Sequence, residues 1–320
     1  MFSKTELMCV GLIVANIPIY PVKDTLLQID VSLVNKIGLA SGGDALNQAF
    51  ILSRLGRKVS ICGKIGPDLF GRYLSEEMQK NKIDVSTLIE DDRVSTNCAA
   101  VLIHENGSRH FLSHRGSSDN FSIDDIPMEK VSNTRIISIG SLLALPFFRG
   151  DALAAFLKKA KDLGCMIAAD TKQDNYQIGW KGIKDSIKYI DFFLPSYDEA
   201  SYLSGETEPS KIVGFFMDAG ANNVILKLGD QGCCYRSREI KKEEYLPAMK
   251  VDVIDTTGAG DNFVAGFLHG ILHGWDLRKC CSFANAVGAI STTTIGAATG
   301  VKSEDQVMEF FQTNNNIKGV

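Results

Sequence analysis

Short apolar runs alternate with amphipathic helical segments along most of this chain. That alternation restricts it to a sheet covered by helices, the product of successive βα units. Leu7–Val14 reads as a buried strand, and Thr25, Leu27, Ile29, Val31 and Leu33 occupy alternate positions, which predicts a strand with one covered face. Gly43–Leu55 carries Ala45, Ala49 and Leu52 at helical spacing and stops at Gly56; Val59–Cys62 is a short strand and Pro67–Lys80 a helix opened by proline. Cys98–His104 and Arg109–Ser113 flank Asn106-Gly107, a strong type I′ turn signal, and predict a hairpin. Asp151 caps a helix through Leu163 that ends at Gly164. Strands are expected at Cys165–Ala169, Phe192–Leu194, Val224–Leu228 and Val251–Ile254, followed by helices over Ala259–His273 and Leu277–Thr293, with a frayed tail from Thr313 to Val320. The expected fold is α/β: one domain over 1–320 with a mostly parallel central sheet between helical layers. The hairpin and Thr25–Leu33 do not fit between helices, so they form a small β-sheet lid over the mouth, drawn from about 15–40 and 96–118.

Hydrophobic residues make up 45% of the 320 positions and charged residues 22%, so a large core is available and global disorder is excluded. A net charge of −4, with basic pairs only at Lys158-Lys159 and Lys241-Lys242 beside acids, argues against a nucleic-acid partner. The most apolar stretch, Leu7–Val22, is too short for a membrane span and is interrupted by Asn16, Pro18 and Pro21. It also lacks the basic start and small-residue cleavage site of a signal peptide, so a cytoplasmic protein with no membrane partner is expected. The eight cysteines include the neighbours Cys233-Cys234 and Cys280-Cys281 and no CxxC spacing, which fits buried reduced thiols.

In open α/β sheets ligands bind beyond the carboxyl ends of the strands. Asn16, Gly63-Lys64, Asp170, Ser196, Glu199, Gly229 and Asp255-Thr256-Thr257 fall at such ends in this reading. The segment Asp255-Thr-Thr-Gly-Ala-Gly-Asp261 lies between an apolar run and an amphipathic helix. Gly258, Ala259 and Gly260 are small enough for backbone N–H groups to converge on an anion at a helix N-terminus, and Asp261 stands where it could take a proton from an attacking hydroxyl. A glycine-rich turn with Asp261 as a helix cap is the plainer alternative for Gly-Ala-Gly-Asp alone. No G-x-x-x-x-G-K-[ST] loop is present, Phe263 stands where a dinucleotide fingerprint has its third glycine, and there is no serine nucleophile elbow. His269 and His273 are four apart on a helix, but Gly270 replaces the glutamate of a zinc protease and a third ligand is lacking.

These residues resemble the ribokinase (PfkB) family of carbohydrate kinases. Asp255–Asp261 with Phe263 and Gly266 is similar to its C-terminal signature, Ser41-Gly-Gly-Asp-Ala-Leu-Asn47 to its N-terminal one, and Gly63-Lys-Ile-Gly66-x-Asp68-x-x-Gly71 to a further segment. The resemblance implies a three-layer ribokinase-like sandwich and transfer of phosphate from Mg·ATP to a hydroxyl of a sugar or sugar acid. Asp261 would be the general base, and Gly258, Ala259 and Gly260 the anion hole. Asn16, Gly42, Gly43, Asp44 and Asn47 would meet the sugar, and Lys227, Gly229 and Asn285 the ATP. Glu199 would organise Mg2+ through water, while Asp255 and Thr257, with carbonyls near Thr294 and Gly296, would hold K+. It also implies a homodimer formed through the lid. Two positions depart from the family pattern: Asn16 stands where an aspartate is usual, and Ser196 replaces the asparagine of an Asn-x-x-Glu motif. Arg115 on the lid hairpin, followed by Ser117 and Ser118, would suit the carboxylate of a sugar acid, the alternative being an exposed lid arginine. A nucleoside kinase of the same family is the nearest rival. A catalytically silent sugar-binding regulatory protein is a rival of another class.

Overall fold

The computed structural model describes residues 5–316. Strand β1 (Thr5–Val10) pairs in parallel with β5 (Val59–Ile65) on one side and β9 (Thr134–Leu142) on the other, at the centre of a nine-stranded sheet. From β9 the sheet continues in parallel through β10 (Met166–Thr171) and β11 (Phe192–Phe193) to β12 (Asn223–Lys227). It ends in antiparallel β13 (Cys233–Ser237) and β14 (Glu244–Leu246), and at the far edge in β6 (Leu88–Glu90). Both faces are covered, as a parallel sheet requires, and the period-two alternation shows why Leu7–Val10 of β1 is apolar throughout. Leu7 and Cys9 join a core with α1 (Asp44–Arg54), α2 (Leu69–Lys80), α8 (Ala259–Leu272), α9 (Leu277–Ser291) and α10 (Glu304–Asn316). Met8 and Val10 join a second core with α4 (Gly150–Asp162), α6 (Tyr197–Ser204) and α7 (Pro209–Asp218).

A separate five-stranded sheet is built from β2 (Val14–Val22), β3 (Lys36–Ile37), β4 (Ala40–Gly42), β7 (Cys98–His104) and β8 (Arg109–His114). It inserts twice, after β1 and after β6. The expected hairpin is its β7–β8 pair, with Asn106 and Gly107 in the turn.

Four expectations differ from the structure. The apolar run at the N-terminus is two strands, broken at residues 11–13, so Asn16 lies inside strand β2 of the smaller sheet and not at the end of the first strand. Thr25–Leu33 forms a 3-10 turn at Leu26–Gln28 and irregular chain; it has no partner strand, and Val31 and Leu33 stand 74% and 93% exposed. Val251–Ile254 is also unpaired with any strand, and is hung from the end of α9 by hydrogen bonds from the Ile254 and Asp255 amides to the Thr292 carbonyl at 2.8 and 3.0 Å. Thr313–Asn316 belongs to α10, and 317–320 lie outside the described residues. Two helix starts also shift. Asp68, not Pro67, opens α2 by accepting the Gly71 amide at 2.9 Å, and Asp151 sits within the first turn of α4.

None of the eight cysteines is in a disulfide, and seven are buried. Among the described residues no helix is long and apolar enough to cross a membrane.

Candidate active site

Helix α8 begins where Gly258 takes a left-handed conformation, φ 74°. A Cβ at this position would lie 2.6 Å from the Ala297 carbonyl oxygen, so both space and backbone angle demand glycine. The Asn262 amide fixes the turn by donating to the carbonyls of Gly258 at 2.8 Å and Ala297 at 2.6 Å. Two residues beyond Gly258, the Lys227 ammonium lies beside Gly260, 3.3 Å from where a Cβ would stand. The positive end of α8 and an ammonium at the end of β12 thus face the same point, a cradle for phosphate.

Asp261 follows in the first turn of α8, 5% exposed. Asn47, in the first turns of α1, donates its amide to Asp261 Oδ2 at 2.7 Å and sets the carboxylate's orientation across 214 residues of sequence. The neighbouring Asp44 sits between β1 and β9, where the strand order reverses, the place such sheets use for ligands. Its Oδ1 accepts the amides of Leu12 at 3.2 Å and Ala45 at 2.7 Å together with the Ser141 hydroxyl. Asp44 Oδ2 and Asn47 Oδ1 are buried without a protein partner, two acceptors that match hydroxyl donors of a ligand. Burial pushes the Asp44 carboxyl above its usual range; Lys172 opposes that shift and Asp261 adds to it. Lys172, just past β10, has surface open to water, but Asp261 first, then Asp44, Asp170 and Glu199, hold its ammonium charged well beyond the ordinary lysine range. Sequence reasoning missed Lys172. Its position just beyond a strand end was the only signal, and one shared with many other loop residues.

Asp170, at the end of β10, is ion-paired to Lys227. Burial pushes its carboxyl up to about 7, Lys227 pulls it down, and Glu199 and Asp261 push it up again. Glu199 is the third residue of α6; its Oε2 accepts the Ser196 amide at 3.2 Å, the Thr171 hydroxyl at 3.1 Å and the Ser196 hydroxyl. Ser196 therefore caps α6 in a capping box with Glu199, a task its short hydroxyl performs in the place of an asparagine. Three carboxylates, Asp170, Glu199 and Asp261, converge near the phosphate cradle, a donor set of oxygens that fits a hard divalent cation.

Other predicted site residues are engaged elsewhere. Gly42 packs under Asn16, whose amide nitrogen lies 2.2 Å from a Cβ built there; Gly43, φ 93°, is pressed against the Leu12 carbonyl. These glycines therefore serve close approach within the chain itself. Arg115 donates to Asp119 at 3.2 Å, to the Tyr176 hydroxyl at 3.1 Å and to the Ala144 carbonyl, which leaves little of its fork for a ligand. The Asn285 amide bonds the carbonyls of Leu246 at 3.4 Å and Pro247 at 3.2 Å and shapes the chain after β14. Gly229, φ 60°, opens a 3-10 turn directly after β12. Asp255 accepts the Thr257 and Gly296 amides at 2.8 Å each and is ion-paired at 2.7 Å to Arg109 from β8. Burial pushes the Asp255 carboxyl up, but these donors prevail and hold it below the usual range. Arg109 thus reads a carboxylate of the chain itself, 146 residues away in sequence.

Residues 4–304 match the family described as pfkB family carbohydrate kinase. The protein named "Probable fructokinase-5" of Arabidopsis thaliana is 30% identical over 286 residues, covering 83% of this chain and 87% of its own. Among solved structures, ribokinase from Thermotoga maritima superposes with a TM-score of 0.84 at 23% identity, covering 96% of this chain and 99% of that one. Arabidopsis thaliana ribokinase, solved complexed with ribose and ATP, gives 0.81 at 22% identity, covering 97% and 99%.

Proposed function

Because the chain belongs to the pfkB family of carbohydrate kinases, we propose that it transfers the γ-phosphoryl group of Mg·ATP to a hydroxyl of a neutral sugar, with fructose the first candidate. The observation that carries this reading is the buried Asp261 carboxylate, oriented by Asn47 in the first turn of α8 beside the cradle of Gly258, Ala259, Gly260 and Lys227. Asp261 takes the proton of the acceptor hydroxyl as its oxygen attacks the γ-phosphorus; the bond to the bridging β–γ oxygen breaks and ADP departs. The amides of the α8 N-terminus and the Lys227 ammonium hold the charge that spreads over the transferring oxygens. Glu199, through water and with Asp170 beside it, would hold the Mg2+ of Mg·ATP, which would supply neutralisation of phosphate charge.

A neutral substrate is favoured over a sugar acid because the free acceptors are Asp44 Oδ2 and Asn47 Oδ1, and because Arg115 is already bonded to Asp119. Asn16, whose side chain makes no hydrogen bond to another described residue, overhangs Gly42 and offers both a donor and an acceptor to the sugar from the lid. Arg109 reaches from the lid to Asp255, so a monovalent cation at Asp255 and Thr257 competes with a guanidinium. Tyr20, Val31, Leu33, Ile37, Phe111 and Leu112 expose apolar surface on the lid and its flanking chain, which fits a lid-mediated homodimer.

A coupled ADP-release assay across fructose, ribose, sugar acids and nucleosides tests the reading. Turnover led by a neutral sugar is expected; turnover confined to sugar acids or nucleosides would contradict it.

A further inference from the structure

Two turns beyond Asp261 on the same helix, away from the phosphate cradle, His269 and His273 meet Glu304 at the start of α10. His269 Nε2 and His273 Nε2 are 3.0 Å apart, and each is 3.2 Å from Glu304 Oε1. A tetrahedral ion with bonds of about 2.0–2.1 Å separates its donors by about 3.3 Å, so these three atoms form a nearly complete face of such a site. An ion about 1 Å off the plane of the three donors would reach each at about 2.1 Å.

The rings are held in place. His269 is fully buried and stacks on Phe283, centroids 5.3 Å apart at 18°, while His273 stacks on Trp275 at 4.8 Å and 7°. Glu304 and His273 retain 38% and 34% side-chain exposure, which leaves the outward coordination position to water.

We propose that His269, His273 and Glu304 form a second metal site that takes a borderline divalent transition ion, zinc first among them, and ties the C-terminal part of α8 to α10. Two imidazoles and one carboxylate suit Zn2+, Co2+ or Ni2+ better than Mg2+ or Ca2+, which prefer oxygen alone. The site is distinct from the Mg·ATP site and independent of the kinase reading.

One contact tempers its affinity. Arg57 Nε donates to His269 Nδ1 at 3.0 Å, so the metal-free ring carries its proton on Nε2. An ion at Nε2 displaces that proton, the ring then carries its proton on Nδ1, and Arg57 cannot accept it. Arg57 must turn away, toward Glu6, whose carboxylate is 3.7 Å from its Nη1. Metal binding and the Arg57 contact therefore compete, and removing the competitor strengthens the site.

The test uses untagged full-length protein stripped with a chelator and titrated with Co2+. Visible d–d bands of four-coordinate Co2+ should saturate at one equivalent, be displaced by Zn2+, and vanish in His273→Ala and in Glu304→Gln. Both positions are part-exposed, and circular dichroism with retained sugar-kinase turnover verifies that each variant is folded. Arg57→Gln, whose carbonyl can accept from Nδ1–H, should bind Co2+ on the order of 10-fold more tightly. No bands at stoichiometric Co2+ in the wild type, or bands that persist unchanged in both ligand variants, would overturn the proposal; persistence would place the ion on cysteines.

Discussion

Replacing Gly258 by alanine perturbs the phosphate cradle at one atom, and its cost can be worked from the surroundings. The φ of 74° lies in the left-handed region, where a non-glycine residue costs roughly 1–2 kcal/mol. The new Cβ would be 2.6 Å from the Ala297 carbonyl oxygen and 2.7 Å from the Ala297 side chain, about 0.8 Å short of ordinary contact. The Ala297 carbonyl cannot retreat freely because Asn262 bonds both it and the Gly258 carbonyl. The α8 N-terminus must then shift by several tenths of an ångström, a misplacement for which a loss on the order of 100-fold in kcat is expected. Gly260→Ala is the matched control. Its φ is not left-handed and its Cβ meets only the flexible end of Lys227 at 3.3 Å, so the fold should be undisturbed and the effect should fall mainly on the KM for ATP. Steady-state kinetics and thermal melts on both variants measure the contrast. Near-wild-type kcat and Tm in Gly258→Ala, or equal losses in the two variants, would refute the steric argument.

Three further outcomes follow from the same geometry. Asp44→Ala removes a buried acceptor that has no protein partner on Oδ2, so the sugar KM should rise at least ~10-fold with the KM for ATP little changed, as read by steady-state kinetics. Arg109→Gln frees one side of Asp255, so stimulation by K+ should be small in the wild type and larger in the variant; equal K+ dependence would separate Arg109 from the cation. The Asp170 carboxyl, pushed up to about 7 when folded and near 3.9 when unfolded, leaves the folded state holding more protons between those values. Stability of the ligand-free protein should therefore fall as pH rises from 4 toward 7, by up to about 1.4 kcal/mol per unit from this group, and level off above. Denaturation of wild type and Asp170→Asn across that range isolates the term; parallel profiles would contradict it.

Local patterns marked the glycine run at 258–260 and Asp261 as candidates in the sequence. Asp261 stood out by the glycine run before it and the amphipathic helix after it, whereas Asn47 came only with the family resemblance, since Gly42-Gly43 alone reads as an ordinary turn. The turn of the β7–β8 hairpin was equally legible, because Asn106-Gly107 specifies it locally. What escaped depends on distant chain. An apolar alternation is a strand only if a partner edge is present: Thr25–Leu33 lacks one and stays irregular, whereas Val14–Val22, hidden in the first apolar run, pairs with β7. β9, interrupted by Ser138, Gly140 and Ser141, gave a weak apolar signal because Ser138 bonds Gln48 and Ser141 bonds Asp44 inside the core. The third partner of the His269–His273 pair comes from Glu304, 31 residues beyond His273 on another helix.

The central claim is that Asp261 is the base of a sugar phosphotransfer, and Asp261→Asn tests it most directly. The substitution keeps the shape and removes the proton acceptor, so turnover in the coupled ADP-release assay should fall by ~100-fold or more while ATP binding, measured by calorimetry, is retained. Turnover within a few-fold of wild type in a variant that binds ATP normally would contradict the assignment.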